Sequence, residues 1–151
     1  MVADSWHLRW SPATTDDRTD NVTFTNPPAL APPPGYSHVV EIRGGTLIYI
    51  AGQTALGANG ELVGGNDLGA QADQVFRNLS VALASVGCTA RNLVKLTVFM
   101  RDMSSLASYR KARDRFFNST TPPAAPAITL VEVSKLFADE FLIEIEAVAA
   151  R

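Results

Sequence analysis

From Leu142 to Ala149 the chain alternates strictly. Ile143, Ile145 and Ala147 fall at one set of positions, and Leu142, Glu144, Glu146 and Val148 at the other. A strand sends alternate side chains to opposite faces, so this segment needs cover on both. The first set suits a layer of helices. The second mixes apolar groups with two carboxylates, a mixture that suits an interface with clefts better than bulk water. The preceding run, Ala127 to Val133, carries a similar mixture at Ile128, Leu130 and Glu132, which is expected to share that second face.

The helices that would cover the first face are legible upstream. After Asn66 or Asp67 as N-cap, Ala72, Val75, Phe76, Leu79, Ala82, Leu83 and Val86 recur at spacings of three and four, and Gly87 ends the run. Gln71, Asp73, Gln74, Arg77, Asn78 and Ser80 fall on its polar side. Leu93 to Met100 then alternates as a strand. A second helix begins at Ser104 or Ser105, runs through Leu106, Tyr109, Ala112, Arg113 and Phe116 or Phe117, and stops before Pro122, Pro123 and Pro126. Nearer the N-terminus, His38 to Ile42, Gly44-Gly45 and Thr46 to Gln53 read as a hairpin. The order from residue 36 is ββαβαββ, an α+β domain with a mixed sheet and two helices on one face. Residues 1–35, rich in Thr and Asp and then in proline (Pro27, Pro28, Pro32 to Pro34), read as an irregular arm in which Trp6 and Trp10 could serve as anchors.

Composition narrows the function classes. With 46% hydrophobic residues in 151, one domain with one core is expected. A formal charge of −2 supplies no field to gather nucleic acid or to coat an anionic membrane, so neither is an expected partner. Cys88 is the only cysteine, the N-terminus lacks a secretory pattern, and no apolar run approaches the roughly 20 residues of a membrane span. The expectation is a cytoplasmic protein. The only histidines are His7 and His38, so a metal site or a Ser-His-Asp triad has almost nothing to be built from, and the sequence contains no phosphate loop.

What remains is carboxylate chemistry. Glu144 and Glu146 share a strand face about 7 Å apart, and a carboxylate in a partly apolar cleft can exchange protons near neutrality. The competing reading is an ion pair with Lys95, Arg101 or a neighbouring subunit. Spacing alone does not choose between the two residues. Arg110 and Arg113 lie on the second helix, where surface solvation is usual and contact with an anionic ligand is the alternative.

The chain resembles the RidA (YjgF) family from Gly35 to Ala149. The resemblance rests on Gly35-Tyr36-Ser37-His38, Ile50-Ala51-Gly52-Gln53, Gln71 through Asn78-Leu79, Val94 to Phe99, Val131-Glu132-Val133 and Ile143-Glu144-Ile145-Glu146-Ala147, in the family's order and at its intervals. It implies a chorismate-mutase-like fold and a homotrimer with small-molecule clefts between subunits, requiring no metal or organic cofactor. It also implies that Tyr36, Gly52 and Glu144 occupy cleft positions, with Glu144 holding or activating water. In members that hydrolyse 2-imino acids an arginine binds the substrate carboxylate, and here that position is Ile128. Ala51, Leu130 and Arg110 stand where serine, cysteine and asparagine are common. The expected function is therefore hydrolysis of a small enamine, imine or related metabolite other than the usual 2-imino acids. The alternative is a ligand-binding or protein-interacting trimer without catalysis. Ribonuclease activity, a label some relatives carry, has no His pair or basic groove to support it.

Overall fold

The computed structural model describes residues 21–151. Trp6 and Trp10 lie outside them. The chain runs through β1 (Val22–Thr25), β2 (Val39–Ile42), β3 (Leu47–Gln53), α1 (Leu68–Ser85), β4 (Leu93–Met100), α2 (Leu106–Phe117), β5 (Ala127–Glu132) and β6 (Ile143–Ala150). The last four strands in the chain make one mixed sheet in the order β3-β6-β4-β5, in which only the β4–β5 pair is parallel. The α+β class with two helices and a mixed sheet is as expected.

Two expectations fail near the N-terminus. Val22–Thr25, placed in the irregular arm, is a strand that pairs antiparallel with β2. Gly44-Gly45 is no hairpin turn, because β2 belongs to this small sheet and β3 to the large one. Both glycines have positive φ, +77° and +93°, which suits a sharp exit from a strand as well as a hairpin. The exit is fixed by closure onto the end of β6, where Thr46 N donates to Arg151 O at 2.7 Å.

Helix α1 starts where Asp67 accepts from Ala70 N at 3.1 Å. It ends in a Schellman arrangement: Gly87 N donates to Ala84 O and Cys88 N to Leu83 O. That places the Cys88 thiol in the core. Its apolar stripe, Ala72, Val75, Phe76, Leu79 and Leu83, packs with Leu96, Val98, Ile143 and Ile145 of the sheet. At the start of α2 Ser105 stands at the N-cap, as expected, but its side chain does not do the capping. Ser105 makes no side-chain capping bond; Asp102 accepts from Ser104 N, and Glu132 accepts from Met103 N at 2.6 Å.

Gln71, assigned to the wet side of α1, is fully buried at 0% exposure. Its Nε2 donates to Gly65 O at 2.6 Å and Glu140 O at 2.8 Å, and its Oε1 accepts from Leu142 N at 2.9 Å. The amide thus stitches the first turn of α1 to the entry of β6, the strand that carries Glu144. Gln71→Leu keeps the volume but leaves two carbonyls and one N–H without partners. It is expected to cost about 2–4 kcal/mol, read from the urea midpoint at unchanged m-value; a loss below about 0.5 kcal/mol would contradict this role.

Candidate functional site

Cross-strand neighbours share a face, so the registers decide where each candidate residue looks. Glu144 pairs with Phe99 and Glu146 with Thr97, on the face opposite the helices. Ile128 pairs with Leu96, Leu130 with Val98 and Glu132 with Met100, whose side chains are buried under the helices. The expectation that Ile128, Leu130 and Glu132 share the face of Glu144 is therefore wrong. The parallel β4–β5 pairing sets their orientation, and alternation along one strand carries no information about which neighbour it will pair with.

The candidate residues consequently fall into two groups. Tyr36, Arg110, Ile128 and Leu130 line one cavity of about 250 Å³, together with Pro34, Leu106, Tyr109 and Arg113. It lies at the β5 edge of the sheet, between α2 and the segment entering β2. That segment is held by Ser37 N donating to Pro126 O, by His38 N donating to Asn26 Oδ1, and by edge contact of the Tyr36 and His38 rings. Ala51, Gly52 and Glu144 lie on the open face instead.

On that open face the sequence explains the geometry of Glu144. The β3–β6 register slips between Ile50 and Gln53, so Gly52 falls in a bulge. A Cβ at Gly52 would overlap Glu144 Oε1 and lie 2.9 Å from its Cδ. Only a residue without a side chain lets the carboxylate lie against the strand there. Beside it, Ala51, Tyr49, Lys95, Thr97, Glu146 and Val148 line a recess of about 420 Å³, with Tyr49 77% exposed. Lys95 donates to Thr129 Oγ1, and burial lowers its pKa against the opposing charge of Glu146. Among the described residues neither Glu144 nor Glu146 forms an ion pair with Lys95 or Arg101.

Similarity to known proteins agrees with this architecture. The profile of the family described as Endoribonuclease L-PSP matches residues 26–151. A RutC family protein of Haemophilus influenzae is 36% identical over 126 residues, which cover 83% of this chain and 91% of that protein. The chain belongs to the RidA (YjgF) family. A solved Rid-family structure of unknown function from Yersinia pestis superimposes with a TM-score of 0.78 at 37% identity, covering 87% of this chain and 99% of that one. The 2-iminobutanoate/2-iminopropanoate deaminase of Salmonella typhimurium is 32% identical over 130 residues, 86% of this chain and 96% of that protein.

Within this RidA-family chain the enclosure of two cavity residues escapes sequence reasoning. Tyr109 reads as part of the apolar stripe of α2, and Arg113 as a cation that is either solvated or in contact with an anionic ligand, yet Arg113 is only 7% exposed. The signal was present: Tyr109, Ala112, Arg113 and Phe116 share one helical face, and a cation on that stripe has to be buried with a purpose or a partner. Asp114 supplies one partner, accepting from Arg113 Nε and Nη2 through Oδ1 at 2.9 and 2.8 Å. Gly35, at φ +83°, supplies the space, since a Cβ there would overlap Nη2. Among the described residues no group of three or more His, Cys, Asp or Glu could hold a metal ion, and no helix is long and apolar enough to cross a membrane.

Proposed function

We propose that the protein hydrolyses the C=N bond of a small imine, or of the imine tautomer of an enamine, in clefts completed between copies of the chain in a homotrimer. The observation that carries this reading is the seating of the Glu144 carboxylate against the bare backbone of Gly52 on a sheet face the helices leave open. Water attacks the imine carbon, and Glu144 takes its proton as the C–O bond forms. Returned to nitrogen, that proton gives the carbinolamine; Glu144 then takes the carbinolamine's hydroxyl proton and passes it to nitrogen, so that ammonia leaves as the C–N bond breaks and the carbonyl forms. Backbone carbonyls near Gly52 and Leu130 accept from the imine N–H and orient the planar group. The chemistry calls for no metal or organic cofactor.

A single chain cannot bring both groups of residues to one ligand, because they lie on opposite faces of the sheet. A neighbouring copy that sets its open face against the β5 edge of the first supplies Glu144 to the cavity lined by Tyr36, Arg110, Ile128 and Leu130. The recess around the exposed Tyr49 is the surface such a contact would cover. Light scattering at micromolar concentration is expected to return three times the mass of the chain, and a stable monomer would count heavily against the cleft. Activity is tested by generating imines from a panel of amines and amino acids and following imine loss and ammonia release with and without the protein.

Ile128, standing where hydrolytic relatives carry a carboxylate-binding arginine, favours a second reading: a trimer that binds a small ligand or a protein partner without turnover. Ligand binding with no acceleration of any imine's hydrolysis would select it. As to substrate, Ile128 argues for an imine other than the usual 2-imino acids.

A further inference from the structure

The cavity at the β5 edge holds groups that C=N hydrolysis does not use. Ile128, Leu130 and Leu106 make it apolar, yet one stretch of α2 brings Tyr109, Arg110 and Arg113 to the same space. The two bonds from Arg113 to Asp114 use Nε and Nη2, so Nη1 is not spent on that carboxylate. Tyr109 is 1% exposed, and its hydroxyl has no hydrogen-bond partner among the described residues. A buried hydroxyl without a partner is a net cost to the fold. Burial, the largest influence on it, pushes its pKa up to about 12, so it stays a neutral donor. A cavity wall that carries two guanidinium groups and no free carboxylate, with an unpartnered hydroxyl enclosed in a tyrosine that also lines it, is suited to meet an oxyanion.

We propose that Tyr109, Arg110 and Arg113 form an anion-recognition site on α2, and that the ligand is a small organic carboxylate whose apolar body lies on Ile128 and Leu130 with its charged group towards α2. This deepens the imine-hydrolase reading and rests on it only in taking this ligand to be the substrate. The cation that relatives carry on the strand is replaced by cations one element away. An apolar stretch then separates the charge of the substrate from the part lying along β5. Gly35 is integral to the device, because its missing side chain lets the main chain close over the Arg113 guanidinium.

Calorimetric titration of the full chain with unbranched carboxylates from acetate to hexanoate, with hexanamide and hexylammonium as controls, tests the site directly. Affinity is expected to rise about three- to fourfold per methylene until the cavity fills, and hexanamide to bind at least about tenfold more weakly than hexanoate. Tyr109→Phe and Arg110→Gln should each weaken hexanoate by about tenfold. Because the Tyr109 hydroxyl has no partner to lose, Tyr109→Phe should leave the Tm of the ligand-free protein unchanged or raised, while the Tm gain from saturating hexanoate shrinks. A merely structural tyrosine would lower the Tm instead. Equal binding of hexanoate and hexanamide, absence of carboxylate binding, or full hexanoate affinity in Tyr109→Phe would each overturn the proposal. Imine hydrolysis is scored separately: hydrolysis without carboxylate binding sinks only this site, and carboxylate binding without hydrolysis sinks only the enzymatic reading.

Discussion

Glu144→Gln is expected to slow imine hydrolysis by about 10²- to 10⁴-fold, the range over which a positioned acid or base contributes. The substitution keeps the shape that fits against Gly52 but removes the group that takes the proton from water. Since Glu144 forms no ion pair with Lys95 or Arg101, the unfolding midpoint should move by no more than about 0.5 kcal/mol, so lost turnover cannot be ascribed to lost fold. Steady-state ammonia release and a urea titration on the same preparation give both numbers. A glutamine variant with wild-type turnover would remove Glu144 from the mechanism. Ala51, its neighbour where a serine is common, offers no hydroxyl to take over.

The second large effect concerns the usual 2-imino acids. Such a substrate carries its carboxylate on the carbon that reacts, so placing the C=N group for hydrolysis puts the charge beside Ile128. There it loses water and gains no bidentate donor. One lost charge-assisted hydrogen bond is worth about 1.5–3 kcal/mol, or about ten- to a hundredfold in kcat/KM relative to a family member with arginine at this position. Sliding the carboxylate to Arg110 and Arg113 would withdraw the imine carbon from the water site. Ile128→Arg should recover part of the deficit. The recovery should be incomplete, because Arg110 and Arg113 already line the same cavity and a third cation is repelled. Combining Ile128→Arg with Arg110→Asn should recover more. An amino-acid oxidase that generates the imine in situ provides the assay, and efficient wild-type turnover of several 2-imino acids would show that the α2 cations replace the strand arginine outright.

Much of this was legible in the sequence where a local period sufficed. The spacing of Val75, Phe76, Leu79 and Leu83 and the alternation of Leu93 to Met100 report faces that each element owns by itself. The resemblance placed Gly52 and Glu144 each in a cleft, but the seating of the carboxylate against the bare backbone was not among what it implied. What was not legible depends on partners far along the chain. Gly44-Gly45 permits a hairpin and an exit equally, and only the bonds between Thr46 and Arg151 decide. Gln71 looks like any polar helix residue until Glu140 and Leu142, some seventy positions later, present a carbonyl and an N–H to it. Ile128 and Leu130 alternate correctly, but the face they own follows from parallel pairing with β4. The burial of Arg113 and of the Tyr109 hydroxyl is not legible because a charge and a hydroxyl are read residue by residue, whereas the enclosure that makes them informative is built by Gly35 and Pro34 from another part of the chain.

The position of β6 in the sheet bears on how the protein is made. It is the last strand in sequence, yet it sits between β3 and β4 and bonds to both. During synthesis, at about 5–20 residues per second, β3 and β4 therefore emerge with nothing between them, and each keeps a bare edge until residues 143–150 arrive. A nascent chain stalled before Phe141 would present unpaired strands and the apolar face of α1, the surfaces through which incomplete chains associate with one another. The same eight residues that bring Glu144 to the open face of the sheet also end that exposure, so a message truncated just ahead of them would yield an aggregating product and not a merely inactive one.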